Sequence, residues 1–216
     1  MADTATPQPG GDIGETPQQA AQPPVFDFRK PGGAVAAPPA YELAKPVFFI
    51  GFMGAGKTSV ARKLARMAGV ASIDLDTYIE RHCDCKISQI FEESGEAGFR
   101  AIETELLRHL AGGEPRLISC GGGAVLSQEN RRIMAQHGCV VYLQVTAAEA
   151  ASRISDTSTR PLFGDLAQAQ RVIEERLPYY EDAADIVMDT AGRGTAPLAR
   201  DLLHILKKEG ILWQRR

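Results

Sequence analysis

Residues 51–58 read GFMGAGKT, with the apolar run Val47-Phe48-Phe49-Ile50 before them and a helix-like stretch after them. The segment fits G-x-x-x-x-G-K-[ST] in the strand–loop–helix setting that gives the pattern its physical meaning. Glycines let successive backbone N–H groups converge on phosphate oxygens at the positive end of a helix. Lys57 then reaches the β- and γ-phosphates, and the Thr58 hydroxyl can ligate Mg²⁺. The loop thus points to ATP or GTP and leaves the acceptor open.

From Pro46 onward, short apolar runs alternate with helical patterns. The runs are PVFFIG, ASIDLD, RLISC, VVYLQV and DIVMDT. Helices are predicted from about Lys57 to Met67, twice more up to about Leu110, behind Ser127, behind Thr146, and from about Leu198 to Lys208. Continuous apolar strands separated by helices predict an α/β domain with five parallel strands covered on both faces. Asp156 to Gln170, rich in Ser, Thr, Gly and Gln, breaks the pattern and reads as a mobile loop.

Residues 1–45 hold eight of the thirteen prolines and show neither alternation nor helical periodicity. Such a segment cannot bury enough surface to offset its ordering entropy, so a disordered extension is expected there, with the domain over 46–216. Arg29 is its only arginine, against five acidic residues, unlike a transit peptide. The net charge of −3 gives no electrostatic reason to bind nucleic acid or a membrane surface. No run approaches the ~18 apolar residues of a membrane span. Cys83, Cys85, Cys120 and Cys139 include no C-x-x-C pair, and His82-Cys83-Asp84-Cys85 has no second ligand pair to make a metal site. Reduced thiols in a cytoplasmic protein are the simplest reading.

Asp74 and Asp76, in IDLD, are read as ending the second strand at the carboxyl edge of the sheet, where open α/β sheets bind ligands. One carboxylate would serve Mg²⁺ while the other accepts a hydrogen bond from an attacking hydroxyl and takes its proton; Asp76 as a mere cap of a helix starting at Thr77 is the alternative. Phe99-Arg100 opens a helix whose apolar positions are Ile102, Leu106 and Leu110, with Arg100 off that stripe. Gly121-Gly122-Gly123 lets backbone amides approach a ligand. TRPL (159–162) falls in the mobile loop, and ERLPYY (175–180) lies on the helix after it.

In order and spacing, GFMGAGKT, DLD, FRAIE, GGGAV, TRPL and RLPYY make residues 46–208 resemble a shikimate kinase. The resemblance implies a nucleoside-monophosphate-kinase-like P-loop fold, with sheet order 2-3-1-4-5 and a lid at about residues 155–168. It implies an enzyme that moves the γ-phosphoryl of ATP to the 3-hydroxyl of shikimate, giving shikimate 3-phosphate for chorismate and aromatic amino-acid biosynthesis. By the same resemblance, Gly54, Ala55, Gly56, Lys57, Thr58 and Ser59 hold the ATP phosphates, and Thr58 and Asp74 serve Mg²⁺. Asp76 contacts the acceptor hydroxyls; Arg100 and Arg176 clamp the carboxylate; Gly122 and Gly123 complete the pocket. Glu103 orients Arg100, Phe91 and Phe99 wall the ring, and Arg160 meets the transferring phosphoryl with catalytic Lys57 and Asp76. Arg153 and the loop from Thr190 to Pro197 flank the adenine, with Arg193 either its neighbour or a solvated loop arginine. A monomer acting on small molecules is expected.

A gluconate-type kinase shares the phosphate loop, the lid and a carboxylate-bearing substrate, but its open polyol would not need the flat wall of Phe91 and Phe99. A nucleoside-monophosphate kinase would not suit the paired acids and the glycine triplet. An ATP-dependent binding module is the reading from outside catalysis.

Overall fold

Val47, Phe48, Phe49 and Ile50 have no exposed surface, because the strand they form is central in its sheet and covered on both faces. The computed structural model describes residues 41–153 and 166–215. Counting a short strand β1 (Tyr41–Leu43) first, the central strand is β2 (Val47–Ile50). It pairs in parallel with β4 (Leu117–Ser119) and β5 (Cys139–Gln144), so that Phe48 stands opposite Ile118 on one side and Val140 on the other. Strands β3 (Ser72–Asp74) and β6 (Ile186–Asp189) form the edges, in the order β3-β4-β2-β5-β6. Counted from Pro46, this is the expected 2-3-1-4-5.

Alternation along β2 divides the core. Phe49 joins the layer formed with α1 (Lys57–Ala68) and α7 (Thr195–Lys208), where Val60, Leu64, Leu198 and Leu202 are buried. Phe48 and Ile50 face the opposite layer, built from α2 (Leu75–Cys83), α3 (Ile87–Gly112) and α4 (Gln128–His137). Side chains alternate faces at each strand residue, so one short apolar run serves two cores. Helix α5 (Ala147–Ser152) and helix α6 (Leu166–Ala183) complete the domain. Helix α6 reaches both layers, with Ala169 and Ile173 in the first and Tyr180 in the second.

The helix starts follow local chemistry. The Ser127 hydroxyl accepts from Asn130 N–H at 3.3 Å, and the Thr146 hydroxyl accepts from Glu149 N–H at 3.3 Å, each satisfying an otherwise unpaired first-turn donor. Helix α3 is broken at Gly95 (φ 66°, ψ −174°), so Phe99 and Arg100 stand in the early turns of its second segment. Ile102, Leu106 and Leu110 of that segment are buried as their spacing predicts.

Two boundaries differ from expectation. Tyr41–Leu43 pairs antiparallel with β7 (Leu212–Gln214), placing Leu43 opposite Leu212 in the core, so the folded domain reaches back into residues assigned to the extension. A three-residue strand is too short to display alternation, and its partner lies at the other end of the chain. The second boundary is the end of the expected mobile loop and lid, where residues 166–170 belong to α6. The alternating Ala and Gln at 167–170 are good helix formers, but they carry no apolar stripe to announce the helix. Residues 1–40 and the rest of the lid lie outside the described residues. Among the described residues, no helix is long and apolar enough to cross a membrane.

Candidate active site

The phosphate loop lies between β2 and α1. Gly51 adopts φ 136°, and a Cβ there would come 2.4 Å from the Leu143 carbonyl oxygen, so the backbone can pass β5 this closely only as glycine. Gly56, at φ 88°, turns the chain into α1. Lys57 follows as a buried cation whose Nζ donates to the Gly51 carbonyl at 2.8 Å and the Phe52 carbonyl at 3.0 Å. The ammonium is therefore held at the mouth of the loop. Gly54 and Ala55 lie within the loop, and Ser59 stands exposed on the first turn of α1.

Three oxygen side chains meet beside the loop. The Thr58 hydroxyl donates to Asp74 Oδ2 at 2.6 Å and lies 3.0 Å from Ser119 Oγ. Asp74 Oδ1 accepts from the Thr77 N–H at 3.1 Å, capping α2. Asp74 ends its strand as expected, but the expected strand placement of Asp76 is corrected. The strand ends at Asp74 and the chain turns directly into α2, so Asp74 is the cap and Asp76 belongs to the first helical turn. Asp76 still faces the site: a Cβ on Gly121 would lie 3.0 Å from Asp76 Oδ1. A hydroxyl, a carboxylate and a second hydroxyl form a hard-oxygen donor set of the kind Mg²⁺ takes.

The glycine turn after β4 is flanked by two arginines from different helices. Arg100 of α3 donates to Glu103 Oε2 at 2.8 Å and to Glu96 Oε1 at 3.3 Å, with its guanidinium 5.2 Å from the Phe99 ring centroid. A Cβ on Gly123 would meet Arg100 Nη2 at 2.5 Å, so the missing side chain is what admits the guanidinium to the turn. Glu103 is fully buried, and burial raises its carboxyl above the ordinary range; the Arg100 guanidinium opposes this, and the nearby Asp76 adds to it. Phe91 stacks on Phe99 at 4.8 Å between centroids, and its exposed ring offers the free face of the wall. From α6, Arg176 Nη1 donates to the Gly122 carbonyl at 3.4 Å. Gly122 also abuts the phosphate loop: its Cβ position lies 3.5 Å from Met53 N and 3.6 Å from the Gly51 carbonyl oxygen.

Arg153, at the end of α5, donates to the Thr190 hydroxyl at 3.0 Å and the Thr190 carbonyl at 2.8 Å. The Arg193 N–H donates to the same carbonyl at 3.1 Å, while its guanidinium is ion-paired with Asp201 of α7. The two arginines named for the adenine therefore meet at one loop residue. Arg160 lies outside the described residues.

Sequence reasoning missed Ser119, a small polar residue at the end of an apolar strand, where that polarity was the available signal. It also gave no role to Glu96, a second anion on Arg100, or to Tyr180, whose hydroxyl donates to the Gly122 carbonyl at 2.6 Å. The i, i+4 spacing of each pair, Glu96 with Arg100 and Arg176 with Tyr180, was legible, but not what either pair would touch.

The chain is similar to known proteins in sequence and in fold. The family profile described as shikimate kinase matches residues 53–207. A shikimate kinase of Methylococcus capsulatus is 40% identical over 167 residues, covering 76% of this chain and 93% of that protein. Among solved structures, a shikimate kinase from Acinetobacter baumannii in complex with shikimate superposes with a TM-score of 0.71 at 33% identity, covering 76% of this chain and 94% of that one. The shikimate kinase of Aquifex aeolicus superposes with a TM-score of 0.68 at 30% identity, over 77% of this chain and 98% of that one. A match of this extent, on a domain carrying the phosphate loop and the glycine turn, settles the lineage: the chain belongs to the shikimate kinase family.

Proposed function

We propose that the protein transfers the γ-phosphoryl group of ATP to the 3-hydroxyl of shikimate, producing ADP and shikimate 3-phosphate for chorismate and aromatic amino-acid biosynthesis. The observation that carries this reading is the contact between the glycine turn and the phosphate loop. Arg100 and Arg176 flank one side of the turn, and Met53 and Gly51 touch the other. A carboxylate clamped by the arginines would hold its ring against the wall that bounds the phosphates.

The planar guanidinium groups suit a carboxylate through charge-assisted hydrogen bonds of about 1.5–3 kcal/mol each. Backbone groups of Gly122 and Gly123 complete the pocket, with Phe91 and Phe99 along the ring and Glu103 fixing Arg100. Asp76 orients the 3-hydroxyl and accepts its proton as the oxygen–phosphorus bond forms and the bond to the β-phosphate oxygen breaks. Lys57 balances charge on the β- and γ-phosphates, the amides of Gly54, Ala55 and Gly56 cradle them with Ser59 at the helix start, and Arg160 meets the transferring group. Arg153 and Arg193 lie along the adenine. Thr58 and Asp74, with Ser119 beside them, would hold Mg²⁺, which would supply positive charge to offset that of the phosphates. Positioning accounts for most of the catalysis in such a site.

The reading extends to a monomeric, cytoplasmic enzyme. Its four cysteines are free thiols, which suits a reducing compartment. Residues 1–40 are read as an extension outside the catalytic domain.

Phosphorus–proton correlation spectra of the product test the regiochemistry. Coupling of the new phosphorus to the proton on carbon 3 is expected; coupling to carbon 4 or 5 would require a different orientation over Asp76.

A further inference from the structure

Tyr180 is the largest side chain in the core with no exposed surface. Its ring stacks on Tyr142 of β5, with centroids 5.0 Å apart and planes 12° from parallel. That packing leaves its hydroxyl a restricted set of acceptors, and the one it takes is the Gly122 carbonyl, at 2.6 Å. Arg176, one helical turn earlier on the same face of α6, reaches the same oxygen only at 3.4 Å.

We propose that Tyr180 is a positioning residue for the acceptor pocket, its hydroxyl latching the Gly122–Gly123 peptide and sparing Arg176 for the substrate carboxylate. This rests on the reading of Arg176 and the glycine turn as acceptor-binding groups. In a planar trans peptide the carbonyl and the following N–H point in opposite directions. Holding the Gly122 carbonyl toward Tyr180 therefore aims the Gly123 N–H away from α6. Flanked by glycines, this peptide has little steric resistance to turning over, so a hydrogen bond must select its orientation. Without the phenol, the carbonyl would take the Arg176 guanidinium as its remaining donor, in competition with the substrate.

The latch also braces its own helix. Pro178 lies between Arg176 and Tyr180 and removes a rung of the helical ladder, the bond to the Glu174 carbonyl. A buried anchor at Tyr180 fixes α6 immediately beyond that gap. The donor is constant across the working pH range, because burial pushes the phenol up to about 12.

The test is calorimetric binding of shikimate without nucleotide, and of MgADP, to the full chain and to Tyr180→Phe and Arg176→Ala. Tyr180→Phe keeps the stacked ring. It is expected to weaken shikimate about three- to tenfold, the scale of one neutral hydrogen bond, while MgADP stays within about twofold. Unchanged shikimate affinity, or equal weakening of both ligands, overturns the latch. Arg176→Ala separates the layers: if it leaves shikimate binding intact, the pocket reading itself fails, whereas loss in Arg176→Ala without loss in Tyr180→Phe defeats only the latch. Should Tyr180→Phe not melt cooperatively, 3,5-difluorotyrosine at position 180 supplies the readout. Its shikimate affinity should fall as rising pH ionises the more acidic phenol while the unmodified protein stays flat, and a flat profile in both overturns the proposal.

Discussion

Arg100 and Glu103 form a 2.8 Å ion pair across one turn of α3, in which the carboxylate is buried and the guanidinium keeps 26% of its side-chain surface open. One Glu103 oxygen holds the arginine, and the other is buried without a hydrogen-bond partner among the described residues. Burial raises the Glu103 carboxyl, so the folded protein binds that proton more tightly than the unfolded chain does. Ionising Glu103 therefore costs stability. The cost is absent below the ordinary carboxylate pKa and complete above the raised folded value. As pH falls from about 7 to about 4, the stability of the native protein should rise relative to Glu103→Gln, while its hold on shikimate weakens as Arg100 loses its anchor. Denaturant melts and calorimetry across that range check both slopes; a relative stability that falls would show the carboxyl depressed instead.

Arg100→Lys keeps the charge and loses the planar fork. The shikimate KM is expected to rise about ten- to hundredfold, or about 1.4–2.7 kcal/mol, with the ATP KM little altered. Steady-state kinetics with each substrate varied decide this, and an unchanged shikimate KM would remove Arg100 from the clamp.

Asp74 serves two partners at once, the Thr58 hydroxyl and the first turn of α2. Asparagine is also a good helix cap, so Asp74→Asn should keep stability within about 1 kcal/mol. Loss of the charge should raise the Mg²⁺ concentration for half-maximal activity about tenfold or more, as expected for a hard cation deprived of its carboxylate. Magnesium titration of turnover, alongside thermal melts, separates the roles. An unchanged Mg²⁺ requirement would confine Asp74 to capping.

Five parallel strands covered on both faces were legible because five continuous apolar runs alternate with helices, whereas their order came only from the resemblance to a family. Arg100 and Arg176 were legible only through their resemblance to a family, since neither FR nor ERL by itself differs from an ordinary helix surface. Asp74 was placed correctly at the strand end, but Asp76 was misjudged because IDLD alternates like a strand, while the side-chain cap that starts α2 one residue after Asp74 is decided by a contact with Thr77. Ser119 and Tyr180 stayed silent for a related reason. Their partners, Thr58 and Gly122, are 61 and 58 residues away in the chain.

Strand β1 makes truncation position-sensitive. Removing residues 1–40 should leave activity and melting nearly unchanged, whereas removing 1–45 deletes the partner of β7 and the buried Leu43. The longer deletion should cost about 1.5–3 kcal/mol, the scale of one buried leucine. Equal stability of the two truncations in denaturant titrations would make the terminal ribbon dispensable.

The central claim, a clamp for a cyclic hydroxy acid set against a phosphate cradle, is tested most directly by coupled ADP release with shikimate, gluconate, AMP or no acceptor. Shikimate should support turnover with kcat/KM at least about 10²-fold above the other acceptors, the discrimination expected when buried polar groups lose their partners. Comparable ADP release with gluconate or AMP, or release that needs no acceptor, would contradict it.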